Sequence, residues 1–282
     1  MLLMTFLCAV VAGGLIAIVR WGALDIRLPW ADEVSSGRSQ PIEMLRRYLW
    51  YLTLAVTAGC AAGLVMIGGG GRLAMRLLAA TAGDAAQGRV TEAEEIVGQI
   101  SLDGTLGFII FIGLLGGLIT GTLYVLVARW LPRGRWGGVV FGGLLLILGA
   151  TRFDPLRPEN RDFDIVGPGW LSVAVFIALG LGHGMLVAAI AGRYSRALPL
   201  WSKDRRAIAA HAPLALLVPL FPAVLAVVVV AALVIAVSRS EALVRLLASP
   251  GALVAGRVVG VGLALVALPG FLAAVIDIAG RP

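Results

Sequence analysis

Residues 169–191 read Gly-Trp-Leu-Ser-Val-Ala-Val-Phe-Ile-Ala-Leu-Gly-Leu-Gly-His-Gly-Met-Leu-Val-Ala-Ala-Ile-Ala, and no Asp, Glu, Lys or Arg interrupts them. A helix needs about 20 predominantly apolar residues to cross the hydrocarbon core of a bilayer. This stretch is long enough, and the rest of the chain shares its character. Of 282 residues, 60% are hydrophobic and 14% charged, with a mean hydropathy of +0.97. A soluble domain carries roughly 45–50% apolar and about 25% charged residues. Such a surface would not stay in water, so the sequence predicts an all-α, polytopic transmembrane helix bundle. Disorder, a coiled coil and a disulfide-rich secreted scaffold are excluded on the same grounds.

Seven stretches have the length and composition of spans: Leu2–Val19, Tyr48–Ile67, Gly104–Val127, Gly137–Ala150, Gly169–Ala191, Pro213–Val237 and Ala252–Ile278. The fourth is short and pinned between Arg135 and Arg152, so it spans with snorkelling arginines or a locally thinned bilayer, or else is re-entrant. The first reads as an uncleaved anchor. It lacks a positive leading region, and its apolar run exceeds the roughly 7–15 residues usual in a signal peptide. No segment between spans is large enough for a separate domain, so residues 1–282 form one integral membrane unit.

The formal charge of +7 sits between the apolar stretches. It therefore suits an anionic bilayer face rather than nucleic acid. Connections after the first, third and fifth spans carry 13 Lys and Arg, and those after the second, fourth and sixth carry 8. The positive-inside rule then predicts the N-terminus outside and the C-terminus in the cytoplasm.

Small-xxx-small spacing recurs at Gly59/Gly63, Gly113/Gly117/Gly121, Gly138/Gly142 and Gly256/Gly260. It lets helix backbones approach closely in lipid, and intramolecular packing is the expected use. Pro213, Pro219 and Pro222 in the sixth span and Pro269 in the seventh predict kinked helices. Gly68–Gly71 predict a helix break after the second span. Residues 72–80 beyond it read as an amphipathic helix on the outer surface, with Arg72 and Arg76 on one face as candidate contacts for an anionic lipid or ligand.

Ionisable residues inside spans are the default functional candidates, and few exist. His183, among Gly180, Gly182 and Gly184, is the candidate cofactor-binding or proton-relay residue. A neutral histidine bonded to a nearby carbonyl is the expected role. A bis-histidine haem would need His211, which lies at the start of the sixth span. Arg257 and Asp277 stand 20 residues apart on the seventh span, too far to pair, and read as interfacial anchors. No carboxylate lies mid-span, the seventh span lacks the lysine of a retinal protein, and no nucleotide-binding, nucleophile-elbow or zinc-protease motif occurs. Glu94-Glu95 is similar to the paired glutamates of membrane CAAX-type proteases, but Gln99 stands where an arginine is expected. No catalytic or metal residue and no cofactor is assigned.

The run Arg72-Leu-Ala-Met-Arg-Leu-Leu-Ala-Ala-Thr81, Thr91-Glu92, the Gly-rich third span and Gly167-Pro-Gly-Trp170 together resemble a group of uncharacterised actinobacterial multi-pass membrane proteins. The resemblance covers about a third of the chain. It implies the bacterial inner membrane and carries over no site. The expected role is a non-enzymatic accessory or scaffold component whose partners are the lipid bilayer and other membrane subunits. A small-molecule or lipid transporter using the sixth and seventh spans is the alternative, and an enzyme or redox protein centred on His183 comes third.

Overall fold

The computed structural model describes residues 2–30, 41–99, 101–153, 155–219, 226–227, 229–233, 236 and 249–281. Five helices are long and apolar enough to cross a membrane: α1 (Leu2–Trp21), α2 (Ile42–Thr81), α3 (Leu102–Val127), α5 (Gly169–Tyr194) and α7 (Pro250–Ala279). A shorter apolar helix, α4 (Arg135–Ala150), joins them, and α6 (Arg205–Ala210) is a brief polar helix. Among the described residues the only extended pairing is a bridge between Val90 and Ile96. The protein is an all-α bundle, a membrane protein with transmembrane helices.

Helix α2 is the hub. Two-thirds of its apolar window is buried (67%), against 17–22% for α1, α3 and α7. Its residues Trp50, Leu54, Ala58, Ala62 and Met66 recur every fourth position, so they share one face. That face is buried against Ile18 of α1 and Leu186 and Val187 of α5. A second face carries Gly59 and Gly63. A Cβ on Gly59 would collide with the Gly117 carbonyl and stand 2.7 Å from the Gly121 Cα; one on Gly63 would stand 2.6 Å from the Gly117 Cα. The glycines of α2 and α3 therefore interlock within the chain, as their spacing predicted. The same device joins α4 to α5: a Cβ on Gly138 would meet the Met185 Cα at 2.7 Å, and one on Gly142 the Leu181 Cα at 2.8 Å. Gly256 packs on the Trp130 ring, whereas Gly260 has nothing within 4 Å of its would-be Cβ.

The expected break at Gly68–Gly71 does not occur, because α2 runs on for 40 residues. Residues Gly63–Gly70 form wide π-helical turns opposite those at Phe108–Gly113 of α3. Would-be Cβ atoms meet the Ile109 Cα at 3.1 Å from Gly68, the Leu179 side chain at 2.6 Å from Gly70 and the Phe108 ring at 3.1 Å from Gly71. Packing at these positions outweighs the propensity cost of about 1 kcal/mol per glycine. At 1.5 Å per residue, 40 residues reach about 60 Å, twice a hydrocarbon core. The last part, Gly71–Thr81, thus extends α2 rather than forming a separate helix lying on the surface.

Contacts sort the helix ends into two levels. At one, Leu7 of α1 adjoins Gly69, Thr81 Oγ1 donates to the Gly167 carbonyl (2.7 Å), and the Gly169 N–H donates to the Arg281 carbonyl (3.3 Å). At the other, the Gly134 N–H donates to Asp25 Oδ1 (2.7 Å), Trp50 Nε1 to the Leu198 carbonyl (3.0 Å) and Arg257 Nε to the Trp130 carbonyl (3.3 Å). We call these the cap end and the basic end. Exposed Trp136 at the basic end, and Trp170 and Phe153 at the cap end, fit the aromatic residues expected at headgroup level.

One expectation changes here. An odd number of crossings puts the first and last helices' outer ends on opposite faces, yet the Leu2 end of α1 and the Ala279 end of α7 both lie at the cap end. Helix α5 ends, and α7 begins, at the basic end. The expected span Pro213–Val237 rests on apolar length. Ten of its 25 residues lie outside the described residues; its start falls in the 3-10 turn Ala212–Leu217, and residues 226–227, 229–233 and 236 are helical. Pro269 is contained within a continuous α7.

The interlocked glycines yield a direct test. Gly117→Val places side-chain atoms on the Gly59 backbone and should cost about 1–3 kcal/mol or more, read as a lowered melting temperature in detergent. Gly143→Ala, where nothing lies within 4 Å of the would-be Cβ, should be neutral or slightly stabilising.

Candidate functional site

Three regions carry the polar chemistry: the middle of the bundle, the cap end and the basic end. In the middle, α5 presents His183, buried at 3% exposure. Its Nε2 lies 2.7 Å from Thr120 Oγ1 of α3, and Thr120 also bonds its own helix at the Gly116 carbonyl (2.8 Å). The Ala62 carbonyl of α2 stands near the ring, but Nδ1 completes no hydrogen bond. The flanking glycines serve packing rather than ligand access. A Cβ on Gly184 would meet the Gly142 Cα at 2.5 Å, one on Gly180 the Leu146 side chain at 2.6 Å, and one on Gly182 the Met66 sulfur at 3.6 Å. His183 is therefore a polar tie between α3 and α5, with a hydroxyl in place of the expected carbonyl.

Nothing charged stands beside it. Helix α5 carries no carboxylate, α2 none beyond Glu43 and α3 none beyond Asp103. His211 is not brought to His183. Its Nδ1 lies 2.8 Å from the Ala207 carbonyl, and its ring meets Trp201 edge-on at 5.1 Å. Among the described residues no group of three or more His, Cys, Asp or Glu is placed to hold a metal ion.

At the cap end, Arg72 and Arg76 turn inward to the following loop. The Arg72 guanidinium lies 5.3 Å from the Phe108 ring centroid and 3.9 Å from Glu95 Oε1, with its side chain 15% exposed. Arg76 Nη1 donates to the Gly98 carbonyl (3.1 Å). The two candidate anion contacts thus hold residues 95–98 against α2. The second connection, 151–168, docks on the first: Arg157 pairs with Glu92 (2.9 Å), and the Glu92 N–H donates to Asp162 Oδ1 (2.7 Å). Arg281 then fastens α7 to both its own turn and this connection, pairing with Asp277 (2.7 Å) and Asp164 (3.2 Å) and donating to the Pro158 carbonyl (2.6 Å). Beneath the ion pairs, Ala79, Ala86 and Val97 form a small apolar core with Ile165 and Val166. A cleft of about 380 Å³ opens beside it, with Thr81, Arg89, Asp164 and Pro168 on its walls. Sequence reading missed this assembly. Only the i,i+4 spacing of Asp277 and Arg281 signalled any part of it.

The basic end is the reverse. Arg46, Arg133, Arg193, Arg196, Arg205 and Arg257 have no carboxylate partner among the described residues. Among the described residues the local acids are Glu43, paired with Arg47, Asp25, which caps Gly134, and Asp204, which precedes α6. Arg47 also lies over the Trp30 ring at 5.1 Å, within an edge-packed cluster of Trp30, Trp50 and Tyr51.

Comparison with family models, curated proteins and solved structures finds no match for this chain. The geometry therefore stands alone. Among the described residues it offers a mainly apolar, glycine-locked middle with one tied histidine, a folded polar cap and a basic end where most arginines lack a carboxylate partner.

If His183 is a tie, Thr120→Val and His183→Leu should each lower the unfolding midpoint in detergent. A double-mutant cycle should return a coupling of about 0.6–1.7 kcal/mol, the range found for hydrogen bonds between membrane helices. Strictly additive losses would remove the tie.

Proposed function

We propose that the protein is a non-enzymatic accessory or scaffold component of a complex in the bacterial cytoplasmic membrane, crossing it several times. The observation that carries this reading is the cap. Two connections that have no regular strands and only short 3-10 turns are nonetheless held in one shape by Arg76–Gly98, Arg157–Glu92 and the Arg281 hub. Exposed ion pairs of this kind contribute little stability each, about 0–1 kcal/mol. Their collective effect is to fix the form of a surface, which is what a docking platform needs. The described interior, by contrast, carries apolar side chains, glycine, a few hydroxyls such as Thr53 and Ser172, and one bonded histidine. The resemblance to actinobacterial multi-pass proteins agrees with the location.

The partner test uses the tagged full chain, extracted in mild detergent and examined by native mass spectrometry. A stoichiometric membrane partner is expected, and it should be lost on Arg281→Gln combined with Glu92→Gln while the bundle stays folded. A chain that always runs alone overturns the scaffold reading.

We further place the basic end in the cytoplasm, since unpaired arginines are retained there. With both described chain ends at the cap end, this sets both on the outer side. In a Cys8→Ser, Cys60→Ala background, an impermeant thiol reagent applied to intact cells should label Ala93→Cys and spare Ser202→Cys. The opposite pattern reverses the orientation.

A further inference from the structure

We propose that the seam between α7 and the end of α3 holds an anionic phospholipid of the adjoining leaflet, with its phosphate on Arg257. This does not depend on the scaffold role. The seam is built by Gly256, whose missing side chain lets α7 settle onto the Trp130 indole: a Cβ there would stand 2.7 Å from ring atom Cδ1. That contact brings Arg257 alongside, and its Nε donates to the Trp130 carbonyl (3.3 Å). One of the guanidinium's donors is thereby used for positioning. The terminal nitrogens meet no carboxylate among the described residues, and Arg257 lies seven residues inside α7.

An arginine so placed needs an anion. At the cap end the protein supplies its own, as Arg157 and Arg281 show. At the seam no described carboxylate does so. A planar, positioned guanidinium suits a phosphate oxygen pair, and a basic pocket between membrane helices is a known form of anionic headgroup site. Trp130 supplies an indole at headgroup depth.

The neighbouring surface says which phosphate. On α3, Ile119, Leu123 and Leu126 follow an i, i+4, i+7 stripe and are 61%, 42% and 63% exposed. On α7, Val254, Val258 and Val261 do the same at 61%, 64% and 59%. Both stripes lead to the seam. A soluble phosphate or an acidic peptide would use the charge and leave the apolar stripes idle, whereas a phospholipid engages both.

The test compares the purified full chain in nanodiscs of phosphatidylcholine alone and of phosphatidylcholine with phosphatidylglycerol, with retained lipid counted by native mass spectrometry. Phosphatidylglycerol should be retained in preference. Arg257→Gln should reduce that retention about tenfold, the equivalent of roughly 1.4 kcal/mol. Arg257→Lys, which keeps the charge, should retain most of it. Arg152→Gln at the cap end, whose guanidinium among the described residues bonds its own helix at the Leu148 carbonyl (3.1 Å), should change nothing. Equal retention of both lipids, equal loss in the Lys and Gln variants, equal loss with Arg152→Gln, or displacement by inorganic phosphate would each overturn the proposal.

Discussion

The backbone contact between Gly59/Gly63 of α2 and Gly113/Gly117/Gly121 of α3 is the constraint on which the rest of the structure depends. In lipid, a leucine on one helix gains little by leaving lipid for another helix, since both surroundings are apolar. Association must come from close packing and from hydrogen bonds that lipid cannot replace. Interlocked glycines provide the packing. They bring α3 near enough to α2 for Thr120 to reach across to His183 of α5. They also let the wide turns at Gly63–Gly70 and Phe108–Gly113 stack. Without that approach, the α3 side of His183 would open and the imidazole would have no partner in an apolar layer.

The second organising fact is how each end treats its charge. The cap end pairs Arg72, Arg157 and Arg281 with carboxylates, most of them brought in by two connections. At the basic end, Arg47 pairs with Glu43, and among the described residues most of the other arginines face the surroundings. A leaflet rich in anionic lipid supplies counter-charge to unpaired arginines, whereas ion pairs made within the chain hold the cap connections in one shape. Aromatic residues follow the same division, with Trp30, Trp50 and Tyr51 packed edge-on around Arg47 at the basic end.

Residues 169–191 were legible at sight, since length and composition alone make a span, and the glycine periodicities announced which helix faces would touch. What could not be read was the outcome of competition between local preference and packing. Gly68–Gly71 look like a helix break because glycine has poor intrinsic propensity; they are helical because Ile109, Leu179 and Phe108 occupy the space where side chains would be. Arg72 and Arg76 look like free interfacial cations. Their partners, Glu95 and the Gly98 carbonyl, lie about 22 residues away along the chain and are brought back only by the fold of the loop. The expected side of the C-terminus differs for a similar reason. Hydropathy reports that a segment is apolar, not at which end of the bundle it begins.

The position of His183 bears on what kind of protein this can be. A buried imidazole that served proton transfer would need a second titratable group within reach or a wet path to either end. On α2, α3 and α5 the residues around it are glycine, alanine, methionine and threonine, and its bond is to a hydroxyl that also bonds its own helix. Such a group stabilises one arrangement of three helices and offers little to a passing substrate. The described polar groups that face the surroundings lie mainly at the ends. There the cap presents a fixed polar relief, and the seam at Trp130 and Arg257 presents an unneutralised cation beside apolar stripes. A bundle whose helices are brought together by glycine in the middle presents its charged groups at its ends.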